Sequence, residues 1–442
     1  MTEPPSDPSL LDAVHRASFA YFAQETNWAN GLVVDSTVPD SPASIAAVGF
    51  ALSALPVAVT RGWVTRAGAA QIALAAVRFF RDAPQSGAKD GVGHRGFFYH
   101  FLDMAEGRRA WNSELSTIDT AFLVAGLLCA AAFFDDADAA EAEIRAGAEA
   151  VYRAVDWDWA RDGGDTVTMG WTPERGFLRY RWEGYTEALL LYALAAGSPT
   201  HPVPAGAFAA STRGYRWKRI YGHDVLYAGP LFIHQFSHLW VDLRGVRDAA
   251  MRAASARLGA PTDYFENSRR STLIHREYAR RNPRGFAGYG ADAWGLTASD
   301  GPGPGVLTVD GRERRFWGYR ARGAPFGPDD GTLAPWAALA SLPFAPEAVL
   351  DCLHCLARTH EAREDRFGFE ASFNPTFPDG GGPLGWVSEH HYALNQGPIV
   401  LAVENHRSGL VWDLMRTVGP LAVGLQRCGF EGGWLDGVSG EK

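Results

Sequence analysis

Helical periodicity recurs along almost the whole chain, whereas strand signals are few. Apolar residues return at the spacing of one helix face in about twelve segments. These segments are 8–25, 43–60, 65–82, 116–134, 138–155, 184–197, 230–243, 244–258, 262–281, 332–342, 345–360 and 395–417, the last of which is long enough for two helices. The pattern predicts an all-α protein.

Neighbouring helices differ in how much of their surface is apolar. Segment 43–60 carries no charged residue and 116–134 is almost wholly apolar, while 65–82 and 138–155 have charged faces. A helix that is apolar all round must be buried, whereas an amphipathic helix faces water on one side. The alternation predicts inner and outer helix layers, and the closure that it favours is an (α/α)6 barrel of about twelve helices.

Long connections precede the predicted inner helices. The Gly- and aromatic-rich stretches are 26–42, 83–115, 156–183, 282–331 and 361–394. Inner helices of such a barrel begin at one rim, and loops this long are usually functional, so we expect the active site there. Within 282–331, Asp310-Gly311 predicts the turn of a small hairpin.

Size and composition are those of one large folded unit. The 442 residues are 47% hydrophobic and 12% aromatic, which is enough for an extensive core. We therefore expect residues 1–442 to form a single (α/α)6-barrel catalytic domain, with short flexible ends at about 1–8 and 437–442.

Charge and local hydropathy argue against several classes of function. The chain has 41 basic and 50 acidic residues, a net charge of −9 with no long block of one sign, which disfavours a nucleic-acid partner. The Arg-rich stretch 312–322 is interpreted as solvated or ion-paired surface. The apolar run 121–134 is too short to cross a bilayer, so no membrane partner is expected.

The first residues lack the basic and apolar regions of a secretory signal. The chain as given is therefore expected in the cytoplasm, and in the periplasm or outside the cell if a leader has been removed.

The cysteines and histidines do not form a recognisable metal motif. Cys352 and Cys355 make one C-x-x-C without a second pair, and the four cysteines of the chain are interpreted as mostly buried thiols. Adjacent residues such as Glu389 and His390 seldom point at one ion. We predict no metal and no organic cofactor.

The strongest chemical signal is the sequence RYRWEGYTEALLLYALAAG at 179–197. It places Glu183 and Glu187 beside Trp182 and Tyr185 at the start of an apolar helix. Acetal cleavage needs one carboxyl group to protonate the leaving oxygen and a second to activate water or attack carbon, and aromatic faces hold sugars. We predict that Glu187 is the general acid in the first turns of this helix. The alternative is a helix-start carboxylate favoured by the macrodipole.

A second acidic cluster precedes the most apolar helix. Glu114 and Asp119 are candidates for the base or for substrate binding. Ser116-x-x-Asp119 also matches a capping box, in which the carboxylate only satisfies helix-start donors. Both interpretations of Asp119 stay open from the sequence.

Other polar and aromatic residues of the long loops are candidates for substrate binding or for supporting positions, among them Asp35 and His100. The predicted substrate-binding set is Glu183, Trp182, Tyr185, Trp294, Asp300, Asp330, Phe373, Trp386, Glu389, His390, Asn395 and Gln396.

Seven motifs follow one another between about residues 10 and 436. They are ELSTIDTAFLVAGLL at 114–128, YTEALLLYALAAGSPTHP at 185–202, AGPLFIHQFSHLWVDLRGVRD at 228–248, YFENSRRSTL at 264–273, GLTASDGPGP at 295–304, PDDGTLAPWAALASLPFAPE at 328–347 and NQGPIVLAVENHRSGLVW at 395–412. In this order they resemble the bacterial glucoamylase-like proteins related to glycoside hydrolase family 144, the endo-β-1,2-glucanases. The resemblance extends to the transglycosylating domain of cyclic β-1,2-glucan synthases.

The resemblance implies a single (α/α)6 barrel without cofactor that hydrolyses β-1,2-linked glucans with inversion and releases sophorose and short oligosaccharides. Glu187 takes the place of the family's essential glutamate in N-E-A, with Thr186 in place of Asn. Asp119 falls where the glucanases carry a second essential acid, often the Glu of D-L-V-E-T, and Ser116 falls where that pattern has Asp. Glu183 replaces a more usual His.

The leading functional hypothesis is an inverting glycoside hydrolase acting on β-glucans, in particular β-1,2-glucan or its oligosaccharides. The alternatives are a transglycosylase on β-1,2-glucans and a non-catalytic carbohydrate-binding barrel. The expected partner is an oligo- or polysaccharide, and the sequence leaves the oligomeric state open.

Overall fold

The computed structural model describes residues 7–360, 366–379 and 382–438. The predicted flexible ends lie largely outside these residues. Fifteen α-helices, α1 to α15 in chain order, run through the described part: Asp7–Gln24, Ile45–Thr60, Arg66–Asp82, Thr117–Phe133, Ala139–Ala154, Leu189–Gly197, Gly206–Ser211, Phe236–Trp240, Ala249–Leu258, Tyr264–Arg281, Pro335–Leu339, Pro346–Thr359, Ala393–Arg407, Leu410–Arg416 and Gly419–Arg427. The predicted all-α class is confirmed.

Short strands, β1 to β15, fill the connections between helices. They are Ala43–Ser44, Gly93–His94, Phe97–Phe98, Phe101–Leu102, Leu115–Ser116, Gly170–Thr172, Gly176–Phe177, Trp217–Ile220, His223–Leu226, Ala298–Ser299, Gly305–Val309, Arg312–Phe316, Arg320–Ala321, Phe373–Asn374 and Trp386–Val387. Six antiparallel pairs and one three-stranded sheet, β5-β6-β7, result. These strands are too short to have a readable period, which is why the sequence showed so few of them.

The predicted hairpin is present as β11 and β12. Val309 pairs with Arg312, and the two residues between them, Asp310 and Gly311, have φ of 52° and 71°. Positive φ at both central positions is the two-residue turn that matches strand twist, and Asp-Gly is one of its preferred sequences.

Several helix boundaries differ from the predicted ones. The segment 230–243 is interrupted, with a 3₁₀ turn at Leu231–His234 before α8. Helices α7 and α15 were not predicted, because segments of six and nine residues show too few turns of period. The segment 395–417 is two helices, α13 and α14.

The chain divides into two compact units. Unit 1 takes its described residues from Met1–Tyr21, Arg216–Phe236 and Phe265–Arg407, and unit 2 takes them from Phe22–Tyr215, Ser237–Tyr264 and Ser408–Lys442. A single catalytic domain over 1–442 stays a prediction.

In unit 2, α2 and α4 form a tightly packed apolar pair. A Cβ atom on Gly49 of α2 would lie 2.2 Å from the carbonyl oxygen of Phe122, and one on Gly126 of α4 would lie 2.2 Å from that of Gly49. Only glycine lets the two backbones approach so closely. Helices α3 and α5 pack on each other and keep exposed faces, so the predicted contrast between apolar and amphipathic helices is confirmed in this unit.

In unit 1, α11 packs against α12 and α13. Arg322 and Asp330 form an ion pair in this unit, and both side chains are fully buried. Strand pairs β8-β9, β10-β13, β11-β12 and β14-β15 belong to the same unit.

No described helix combines the length and the apolar character needed to cross a membrane. All four cysteines are free; Cys129, Cys352 and Cys428 are buried, as predicted, and Cys355 is half-buried.

Candidate active site

Backbone pairing fixes His100 between the starts of two buried helices of unit 2. Strand β1 leads into α2 and pairs with β4, and β5 leads into α4. The His100 N–H donates to the Glu114 carbonyl oxygen at 2.9 Å, and the His100 carbonyl accepts from the Ile45 N–H at 3.2 Å. The imidazole is therefore positioned by main-chain hydrogen bonds on both sides.

The His100 ring joins two of the predicted acids. Its Nδ1 lies 3.1 Å from Glu114 Oε1, and its Nε2 lies 3.5 Å from Asp119 Oδ2. Asp119 is only 6% exposed. The structure thus places a histidine between the two carboxylates that the sequence proposed for the base.

Ser116 caps α4, and Asp119 has a different role. The Ser116 Oγ accepts from the Asp119 N–H at 3.2 Å and donates to the Asp119 carboxylate. The capping interpretation is therefore correct for Ser116. The Asp119 carboxylate accepts a hydrogen bond from the serine hydroxyl and also faces His100. Contact with the capping serine is therefore not its only interaction.

Glu187 precedes its helix, which differs from the prediction. Helix α6 begins at Leu189, and Glu187 lies in the turn before it. Gly184 has a positive φ of 78°, which α-helix excludes. The Leu190 N–H donates to Ser237 Oγ at 3.1 Å, and Ser237 Oγ donates to the Glu187 carbonyl at 2.7 Å. Ser237 thus satisfies the helix start, and the Glu187 side chain is not its cap.

Burial changes the acidity of Glu187. Loss of hydration, with a smaller contribution from the negative charge of Asp119, outweighs one backbone hydrogen bond and raises the pKa of Glu187 to about 7. Because the two carboxylates, 68 residues apart in sequence, influence each other, the structure brings Glu187 and Asp119 into one cluster.

The pKa of His100 is also raised, but here burial opposes the rise and neighbouring charges cause it. Burial lowers its pKa, but the charges of Asp119, Glu114 and Asp35 outweigh burial and raise the pKa of His100 to about 9. The Glu114 carboxyl is desolvated too, yet the hydrogen bond and charge of His100 leave its pKa below the usual range. His100 is therefore a cation at neutral pH, and Glu114 is its anionic partner.

Asp35 is a fourth acid of this cluster, after Glu114, Asp119 and Glu187. Burial raises the pKa of Asp35 to about 6, with His100 lowering it and Asp119 raising it. The sequence placed Asp35 and His100 only among supporting residues. The missing signal was the pairing of β1 with β4, because a strand of two residues leaves no periodic pattern in the sequence.

The remaining candidates of unit 2 surround Glu187 in sequence. Trp182 is 7% exposed, and its indole N–H donates to Thr117 Oγ1 at 2.9 Å, below the start of α4. Glu183 is exposed and accepts from Thr166 Oγ1 at 2.8 Å. The half-buried Tyr185 ring lies 6.0 Å from the ring of Tyr264. Substrate contacts by these three residues stay predictions.

An exposed tryptophan flanks the charged cluster. The Trp111 side chain is 63% exposed, and its ring lies 4.9 Å from that of Phe101, which stacks on His100 at 3.9 Å. Trp111 also has φ of 54°, an uncommon conformation for a non-glycine residue. An aromatic surface thus leads from solvent to the histidine.

Among the candidates of unit 1, Asp330 is engaged in the fold. Arg322 contacts it with two nitrogens, at 2.7 and 2.8 Å, and the N–H groups of Trp317 and Thr332 also donate to it. A carboxylate so fully paired has little capacity left for a ligand. The structure therefore favours a structural role over the predicted substrate contact.

Asp300 is half-buried at the junction of two loops of unit 1. Its carboxylate accepts from Gly301 N–H at 3.1 Å, from Ser388 Oγ at 3.2 Å and from Tyr392 OH at 3.4 Å. These bonds hold the loop that carries Trp386, Glu389 and His390 against Asp300.

The other predicted residues of unit 1 range from core to surface. Trp294, Phe373, Asn395 and Gln396 are buried, Trp386 and His390 are half-buried, and Glu389 is exposed. The structure does not collect them into one cluster with shared hydrogen bonds, and their part in substrate binding stays a prediction.

The ligand atoms of His100, Glu114 and Asp119 lie within 4.8 Å of one another, a spacing that could hold a metal ion. A protonated imidazole donates from both nitrogens and has no lone pair for a metal. Metal binding here would therefore require His100, whose pKa the neighbouring carboxylates raise, to release its proton.

The chain is similar to proteins of known activity. The family model Glycoamylase, described as "Putative glucoamylase", matches residues 179–418. An exo β-1,2-glucooligosaccharide sophorohydrolase (non-reducing end) of Parabacteroides distasonis is 28% identical over 96% of this chain, which spans 58% of that relative's length. 

Two solved structures share the fold. The endo-β-1,2-glucanase of Chitinophaga pinensis, in complex with sophorotriose and glucose, is 27% identical with a TM-score of 0.84, covering 98% of this chain and 100% of that one. The β-1,2-glucanase of Parabacteroides distasonis is 26% identical with a TM-score of 0.83, covering 97% of this chain and 61% of that one. The match supports the predicted (α/α)6 class.

Proposed function

Because the chain belongs to the Glycoamylase family, we propose that it is a glycoside hydrolase that cleaves β-1,2-linked glucans or their oligosaccharides. The relatives named as a sophorohydrolase and as endo-β-1,2-glucanases act on this linkage. The site supports the same chemistry, since it contains carboxyl groups of opposite protonation state beside an aromatic surface.

The observation that carries the proposal is the separation of acidities in unit 2. Burial raises the pKa of Glu187 to about 7, while the protonated His100 lies against Glu114 and Asp119. Glycoside cleavage needs one carboxyl group that keeps its proton near neutral pH and one that stays ionised. This cluster meets both requirements without a cofactor.

Glu187 is the general acid in this mechanism. The carboxyl group of this half-buried residue protonates the glycosidic oxygen as the bond to the anomeric carbon breaks. The Ser237 hydrogen bonds to the Glu187 carbonyl and to α6 fix the backbone that carries it, so the proton is presented from a defined position.

Asp119 is the base. It receives a proton from a water on the opposite face of the sugar, directly or through a substrate hydroxyl, as that water attacks the anomeric carbon. Glu114 is less suited, because its hydrogen bond with His100 lowers its pKa and ties its carboxylate. We assign Glu114 and His100 the task of holding the Asp119 carboxylate in position.

The aromatic surface at Trp111 and Phe101 supplies the face on which a sugar ring stacks. Tyr185 and Glu183 of unit 2 are proposed as further substrate contacts from the predicted set.

The test is product analysis with linkage-defined glucans. We expect β-1,2-glucan to yield sophorose or short oligosaccharides, with β-1,3- and β-1,4-glucans left intact. Proton NMR early in the reaction should show the α-anomer first, since an inverting enzyme converts a β-linkage to an α-hemiacetal. A β-anomer formed first would exclude inversion, and binding of β-1,2-glucan without products would indicate a non-catalytic binding protein.

A further inference from the structure

A pocket lies within unit 1 beside the β11-β12 hairpin. Its volume is about 390 Å³, and its lining includes Arg284, Arg312, Arg314, Arg315, Phe286 and Trp317. The sequence led us to interpret the stretch 312–322 as solvated or ion-paired. That interpretation is correct for Arg312 and Arg315, which are exposed, and for the ion-paired Arg322. It is wrong for Arg314, which is buried without an ion pair to any described residue.

The four pocket arginines have no acidic partner. Among the ion pairs of the described residues, none involves Arg284, Arg312, Arg314 or Arg315. Arg322, a few residues further along, pairs with Asp330 through two nitrogens. Arg284 and the two arginines on one face of β12, Arg312 and Arg314, therefore line the cavity without an ion pair to a described acidic side chain.

Arg314 is the most informative of the four. It is 9% exposed; its guanidinium lies 4.7 Å from the centre of the Phe286 ring, and it donates to the carbonyls of Arg284 and Gly285 at 3.3 and 2.7 Å. Its Nε is buried without a hydrogen-bond partner. A buried cation lacking a counter-charge is costly, as is an unsatisfied N–H.

The acidic residues that line the pocket form no ion pair with its arginines, although the charge of Arg284 opposes the rise in pKa that burial causes at Asp329. Asp329 accepts from Tyr278 OH at 2.7 Å, from Tyr289 OH at 2.6 Å and from the Gly331 N–H at 3.1 Å. Glu313 lies on β12 between Arg312 and Arg314, and alternation along a strand sends it to the opposite face from both. The side chains of Arg312 and Arg314 share one face.

We propose that this pocket binds a phosphate-type oxyanion, either free or carried as a substituent on a sugar. Guanidinium groups bind such oxygens through pairs of charge-assisted N–H bonds, and several unpaired cations suit a doubly charged group better than a single carboxylate. Arg314 supplies the buried contact, and Arg312 and Arg284 supply contacts at the mouth. The bound anion provides the counter-charge that the fold does not.

Calorimetric titration of the full-length protein with inorganic phosphate, at constant ionic strength set by NaCl, tests the proposal. We expect saturable binding, weakened about tenfold in Arg312→Gln, which removes one charge-assisted contact at an exposed position. Arg314→Gln should weaken it at least as much. The matched control is Arg358→Gln, which removes an exposed arginine of unit 1, 3.9 Å from Asp292, and should bind phosphate as the unchanged protein does.

Glucose 6-phosphate distinguishes the two sources of the anion. Binding at least tenfold tighter than that of inorganic phosphate, weakened by the same two variants, assigns a sugar-borne group, and equal affinities assign a free anion. If phosphate produces no more heat than chloride, or if Arg312→Gln and Arg314→Gln bind it unchanged, the proposal is wrong. Hydrolysis of β-1,2-glucan is not used as a readout, so failure here leaves the proposed activity untouched.

Discussion

Glu187 of unit 2 and Asp330 of unit 1 are acids that the sequence proposed for the site, Glu187 as general acid and Asp330 as a substrate contact, and the structure gives them opposite environments. Asp330 contacts a fully buried arginine through both carboxylate oxygens. Glu187 has no ion pair among the described residues, and burial raises its pKa to about 7. A loop carboxylate that pairs with a buried cation is thus held within the fold, whereas one without such a partner can have its pKa raised by burial.

The largest expected effect is on catalysis. Glu187→Gln should lower kcat on β-1,2-glucan by about 10²–10⁴-fold, because the amide has no proton to give to the leaving oxygen. Initial rates from reducing-end assays measure this change. Glu149→Gln, which alters an exposed glutamate of the same unit, should retain normal turnover, and near-normal turnover in Glu187→Gln would refute the assigned acid.

The next effect is on stability. Asp330→Asn should lower the free energy of unfolding by about 3–5 kcal/mol, because it leaves Arg322 charged, buried and without its partner. Denaturant titration followed by tryptophan fluorescence measures the change. Asp351→Asn, which breaks an ion pair with Arg276 at the surface of unit 1, should cost less than about 1 kcal/mol. Equal losses in the two variants would show that the buried pair has no special role.

The pH dependence of stability sharpens the comparison between Glu187 and Asp330. The unfolded chain ionises Glu187 above about pH 4.5, whereas the folded chain keeps the proton to about pH 7. Folding therefore binds a proton in this window, and the free energy of unfolding falls by about 3 kcal/mol as the pH rises through it.

Glu187→Gln should lack this part of the decline, as denaturant titrations at pH 4.5 and 8 would reveal. The kcat/KM of the unchanged enzyme should also fall above about pH 7, as Glu187 loses its proton. A profile that stays flat to pH 9 would contradict the raised pKa.

The smallest effect concerns the aromatic surface. Trp111→Ala should raise KM for longer β-1,2-oligosaccharides by roughly 3–10-fold, because one stacking contact is worth about 1 kcal/mol, and should leave kcat nearly unchanged. Trp111→Phe should restore most of the loss. Equal KM values for all three proteins would remove Trp111 from the binding surface.

The sequence by itself determined the features that depend on local pattern. Apolar periodicity predicted the long helices, Asp310-Gly311 predicted its hairpin, and the ordered motifs identified the family that the match over 179–418 confirms. The sequence did not predict the shortest elements, because a two-residue strand such as β1 or β5 forms only by pairing with its partner and has no period of its own.

Only the tertiary structure decided the charge state of each group. No local pattern around Asp330 indicates that Arg322 is buried against it. Likewise, no local pattern around Arg314 indicates that this arginine is buried without an ion pair in the described part of the chain. His100 and Asp35 gained their importance from strand pairing that brings distant residues together. The physical reason is that pKa and ion pairing depend on burial and on charges a few ångströms away in space, whereas sequence pattern records neighbours along the chain.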